Sequence, residues 1–153
     1  MSAPANSVHT MLDLNPREAA ERLLAAGHDD TDWLDDFADH FERRRGGQSL
    51  ARTLSVWDLS QSEAARLFGV SRQALSKWMQ HGVPNERAEQ VSDLAAATDL
   101  LLHYLKRDRV AAVVRRAAPA LGDRSLLDLF ALGETAAVLD ACRHMFDFSQ
   151  AHS

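Results

Sequence analysis

Residues 59–82 read LSQSEAARLFGVSRQALSKWMQHG, a pattern that predicts two short helices joined by a tight turn. Ser60 is a good N-cap, and Glu63 three residues later completes a capping box. The first helix should end near Phe68, where Gly69 provides a residue that accepts positive φ. Ser71 then caps the second helix. Ala65 is small enough for the two helices to cross closely. Ala64, Phe68, Val70, Leu75 and Trp78 form the expected inner face. Arg72, Gln73, Ser76, Lys77 and Gln80 fall on the other side of the second helix at 3.6 residues per turn. All five carry hydrogen-bonding groups and none is acidic. Arginine suits guanine, glutamine suits adenine, and lysine suits guanine or phosphate.

These features are what a recognition helix presents to the major groove. With Leu59, Gln61, Ala65, Gly69, Val70, Ser71, Leu75 and Trp78 in place, the stretch resembles the helix-turn-helix of the Xre and lambdoid phage repressor family. The resemblance implies base readout from Arg72, Gln73, Ser76 and Lys77. It places Gln61 on phosphate, with Arg66 and Ser71 as further expected phosphate contacts. One recognition helix covers few base pairs, so the expected partner is a palindromic operator in double-stranded DNA, read by a homodimer.

The charge distribution agrees with this reading. The chain of 153 residues has a formal net charge of −5, which by itself disfavours nucleic acid. Residues 1–42 hold Arg17 and Arg22 against ten acids, whereas residues 43–87 hold eight Lys or Arg against Asp58, Glu63 and Glu86. The basic excess coincides with the two-helix stretch, and local charge governs phosphate affinity within a Debye length of roughly 8 Å. A single cysteine, Cys142, excludes an intramolecular disulfide and fits a reducing cytoplasm. No apolar run approaches a membrane span, and the first ten residues lack a secretory signal pattern.

Upstream, residues 1–14 are unpatterned. Asn15-Pro16-Arg17-Glu18 is a helix start, and Gly27 should stop that helix. Trp33, Leu34, Phe37 and Phe41 then recur at helical spacing, with Asp32, Asp35, Asp36, Asp39 and Glu42 around them. Arg43, Arg44 and Arg45 suit a helix C-terminus, and Gly46-Gly47 is expected to break the chain. Residues 49–58 follow as a separate helix whose core residues are Leu50, Leu54, Val56 and Trp57. The helices expected are 16–26, 31–44, 48–57, 61–68, 72–80, 85–105, 109–117, 125–131 and 134–146. The fold class is all-α, organised as an acidic segment (1–45), a helix-turn-helix domain (46–83) and a C-terminal helical domain (84–153).

In the C-terminal part, Val91, Leu94, Ala95, Thr98, Leu101, Leu102 and Leu105 form a stripe that would face either the core or a second subunit. The last helix, with Val138, Cys142 and Met145, is the other expected seam. Pro119, Leu121, Gly122, Arg124, Ser125 and Leu129 resemble the C-terminal domain of the Xre/MbcA/ParS antitoxins, with Asp123 in place of a second glycine and Leu126 where proline is usual. That family pairs with RES-domain toxins that consume NAD. The resemblance implies an autorepressing antitoxin with a RES-type toxin partner, anchored through Met145, Phe146 and Phe148. Two other functions fit the same residues: a dimeric repressor or activator without a toxin, and an interaction module that no longer binds DNA.

Nothing in the sequence arranges a catalyst. Cys142 and His144 fall on different faces of one helix, and Cys142 continues the apolar stripe of Val138 and Leu139. His81, at the end of the recognition helix, suits a C-terminal dipole contact or a phosphate. The acids near His28 and His40 lack the tight spacing of a metal site and are explained as a solvated face. No cofactor and no metal are expected.

Overall fold

The computed structural model describes residues 11–27 and 30–147. The protein is all-α: among the described residues it carries eight α-helices and one short 3-10 turn. The chain divides into two compact units, residues 1–41 and residues 42–153.

In the first unit, Asn15 caps α1 (Pro16–Gly27) by accepting from the Glu18 amide at 2.9 Å. Asp30 does the same for α2 (Thr31–Trp57), accepting from the Trp33 amide at 2.9 Å. Gly27 lies close under the Trp33 ring. Trp33, Phe37 and Phe41 stack in succession, with centroids 5.4 and 6.2 Å apart, and remain about half exposed.

The expected break at Gly46-Gly47 does not occur. α2 runs unbroken for 27 residues, so Arg43, Arg44 and Arg45 lie within a helix rather than closing one. The two glycines serve packing. A Cβ on Gly47 would sit 2.6 Å from the Trp78 carbonyl oxygen, and one on Gly46 would meet Val83 at 3.3 Å. The bare backbone lets the end of another helix press directly on α2, and the Val83 amide donates to the Arg43 carbonyl at 3.1 Å. A helix tolerates glycine at about 1 kcal/mol each when packing needs the space.

The second unit continues with α3 (Gln61–Phe68), α4 (Arg72–His81), α5 (Asn85–Tyr104), α6 (Arg107–Arg115), the 3-10 turn Pro119–Leu121, α7 (Leu126–Ala131) and α8 (Thr135–Met145). Leu50, Leu54 and Trp57 of α2, Phe68 of α3, Leu75 of α4, Leu94 and Leu101 of α5, Val110 and Val114 of α6, Phe130 of α7 and Val138 of α8 belong to a single apolar core. Phe68 and Phe130 meet edge to face at 4.8 Å, and Phe130 meets Trp57 at 6.4 Å.

This core settles the stripe on α5. Val91, Leu94, Thr98 and Leu101 are buried within the chain, and Leu102 and Leu105 are partly so. On α8, Val138 and Cys142 are likewise buried, while Met145 stays exposed. Neither set is available as the intersubunit seam expected of it, because both are consumed by packing α5 against α8.

Candidate nucleic-acid interface

The helix pair α3–α4 forms as its sequence dictates. Ser60 accepts from the Glu63 amide at 3.1 Å, and the Ser60 amide donates to the Glu63 carboxylate at 2.8 Å. Those bonds hold the Glu63 carboxyl below its ordinary pKa. Gly69 closes α3 in the left-handed region at φ 69°, and the Val70 amide donates to the Ala65 carbonyl at 2.9 Å. The Ser71 hydroxyl accepts from the Ala74 amide at 3.1 Å. Ala64, Ala65, Phe68, Leu75 and Trp78 are buried between the helices, with Val70 half-buried. Phe68 and Trp78 meet edge to face at 5.5 Å.

Three arginines from outside the pair answer its orphan carbonyls. Arg87 of α5 donates to the Phe68 carbonyl at 3.1 Å, at the end of α3, and its guanidinium lies 5.7 Å from the Trp78 ring centre. Arg44 of α2 donates to the Gln80 carbonyl at 3.0 Å, at the end of α4. Arg115 of α6 donates to the Trp57 and Asp58 carbonyls, each at 2.7 Å, where α2 turns into the pair through Asp58 at φ 54°. The last four carbonyls of a helix have no partner inside it, so these contacts fix where each helix ends. The sequence counted Arg44 and Arg87 only toward charge and did not single out Arg115. Their partners are distant in the chain, and no local signal marks them.

The outer face is thereby fixed from behind. Arg72, Gln73 and Lys77 are exposed, and none has a hydrogen-bond or ion-pair partner among the described residues. Ser76 is half-buried, with the Gln80 amide nitrogen 3.5 Å from its hydroxyl. Arg66 is exposed on α3, Gln61 is half-buried at its first position, and Ser71 is occupied as a cap acceptor. Of the basic residues between 43 and 87, Arg45 pairs with Glu42 and Arg52 with Asp99. Setting aside the capping arginines as well, Arg43, Arg66, Arg72 and Lys77 remain unpaired.

A second feature lies at the C-terminal end of the unit. The Ala118 amide donates to the Arg124 carbonyl at 3.1 Å, closing a tight loop through Gly122 (φ 67°) and Asp123 (φ 61°). Asp123 occupies a left-handed position that a second glycine would fill without strain; aspartate is among the residues that tolerate it. Ser125 and Asp128 form a capping box at α7, with bonds of 2.7 and 3.0 Å, which holds the Asp128 carboxyl below its ordinary pKa. Beside this loop is an open cleft of about 780 Å³, with Leu121, Arg124, Leu129, Asp140, His144 and Met145 in its lining. Phe146 does not join the cleft; it stacks on Tyr104 of α5 at 4.4 Å. Phe148 lies outside the described residues.

Cys142 is fully buried, and burial pushes its thiol up to about 12. No group of three or more His, Cys, Asp or Glu that could hold a metal occurs among the described residues. No helix among them is long and apolar enough to cross a membrane.

No family model matches the chain, and no curated protein matches it. Among solved structures, a chain of the M. tuberculosis MbcT–MbcA toxin–antitoxin complex aligns with a TM-score of 0.53 at 22% identity, over 65% of this chain and 91% of that one. At that identity, the match establishes a shared helical fold.

Proposed function

We propose that this protein is a sequence-specific DNA-binding regulator of the antitoxin type, with α3–α4 as its helix-turn-helix. The observation that carries the reading is the outer face of α4: Arg72, Gln73 and Lys77 are exposed and unpartnered on a helix anchored from behind. Base edges are read by Arg72, Gln73 and Lys77, with Ser76 between them, and Gln61, Arg66 and Ser71 meet phosphate. A homodimer on a palindromic site gives the needed length of readout. The likeness in fold to a chain of a toxin–antitoxin complex supports a RES-type toxin as the protein partner. The cleft beside Met145 is its docking point, since Phe146 is already occupied by Tyr104.

Titration of operator and scrambled DNA at several salt concentrations tests the DNA contact. Arg72→Ala and Gln73→Ala should each cost about 1–3 kcal/mol on the operator and relax preference at particular bases. Arg66→Ala should weaken both DNAs alike and lower the salt slope by about 1. Equal losses on both DNAs for Arg72→Ala and Arg66→Ala would remove α4 from the base-reading role. For the toxin, Met145→Glu should release a co-expressed RES-type protein while operator binding is retained; retention of both would place the contact elsewhere.

A further inference from the structure

With the apolar stripes of α5 and α8 spent in the core, the exposed large apolar side chains that remain in order are those of the first unit. Trp33, Phe37 and Phe41 lie four residues apart along α2 and are 43%, 43% and 53% exposed. They are stacked on one another and aligned. At 100° per residue, Asp32, Asp35, Asp36 and Asp39 fall on the other side of the helix, so the ring stripe is not fenced by like charges.

The charges along the same helix are ordered. Asp30 and Asp32 stand at its start, and Arg43, Arg44 and Arg45 follow just beyond Phe41. Two copies set side by side in the same direction would place acid on acid and base on base. Set in opposite directions about Phe37, they would place Asp30 and Asp32 of each beside Arg43 to Arg45 of the other. Arg43 has no partner among the described residues. In that arrangement, Phe37 meets Phe37 and Trp33 meets Phe41 across the two-fold axis, which is the self-complementarity a symmetric pair requires.

We infer that this stripe is the homodimer seam, formed by two α2 helices packed antiparallel through Trp33, Phe37 and Phe41. The inference deepens the two-fold reading above and rests on it for the purpose of the dimer, while its evidence lies in the stripe and the charge order. Three rings near half exposure offer about 300 Å² per copy, or about 600 Å² in the pair. Stable interfaces begin near 1,200 Å², so the flanking turns must contribute the rest, and the pair should be a reversible, micromolar one.

Sedimentation of the full chain without DNA tests the pairing apart from any operator contact. The chain should dimerise reversibly by tens of micromolar. Phe37→Glu should weaken the dimer about ten-fold or more with unchanged helicity; Phe37→Gln repeats the test should glutamate melt the helix. Orientation is read by mixing Trp33→Cys chains with Phe41→Cys chains under mild oxidation, since Cys142 is buried. Mixed cross-links should dominate, and Asp35→Cys on the far side should give none. A chain that stays monomeric at tens of micromolar, a Phe37→Glu protein that pairs as well as wild type, or self-linking of each cysteine variant would overturn the inference.

Discussion

Replacing a glycine inside a helix with alanine ordinarily gains about 1 kcal/mol. Gly47→Ala should do the reverse, because its new methyl would sit 2.6 Å from the Trp78 carbonyl oxygen. A loss of about 1–3 kcal/mol is expected, as for other overpacked sites. Gly46→Ala meets only the Val83 side chain at 3.3 Å and should be close to neutral. Denaturant melts of the two variants check this, and equal stability would mean that Gly47 is not a packing contact. The pair also shows what one residue's neighbours in sequence cannot convey. Gly46-Gly47 reads as punctuation by every local rule, and the reason it is not lies on a helix formed much later in the chain. Gly69 and Ser71, by contrast, were legible, because their partners are within a few residues.

Capping divides the helices into ends that sequence discloses and ends that it conceals. N-termini are answered by near neighbours, and Asn15, Ser60, Ser71 and Ser125 were all readable. The C-termini of α2, α3 and α4 are answered by Arg115, Arg87 and Arg44 from other elements. Arg115→Ala should destabilise the fold by about 1–3 kcal/mol, the range for hydrogen bonds to charged groups. Arg115→Lys should not restore it, because an ammonium cannot span two carbonyls as a guanidinium fork does; full rescue by lysine would show that charge alone matters. The N-terminal boxes carry a pH signature. Glu63 and Asp128 titrate below their ordinary 4.5 and 3.8, so each stabilises the fold fully above those values. That contribution is lost as pH falls through the lower folded pKa. Denaturant midpoints should therefore drop on acidification in that range, and Glu63→Gln with Asp128→Asn should flatten the decline.

At the scale of the second unit, the surface that would face DNA and the cleft beside Met145 are two sides of one core. Phe130 ties them together, touching Phe68 of α3 on one side and Trp57 of α2 on the other. Phe130→Ala should cost about 3–5 kcal/mol and leave a single unfolding transition; two separate transitions would show that the helix pair stands alone. The periodicity of α5 disclosed an apolar stripe but not its occupant, since a core and a seam have the same pattern until the partner helix is placed. Cys142 supplies an internal clock. Its thiol, held protonated by burial, should react with a disulfide reagent only when this core opens. Because nothing in the core opens in halves, whatever grips either surface must slow that reaction and shield every helix from proteases together. The lifetime of the repressing surface would then be set by occupancy of the opposite one, with no movement passing between them.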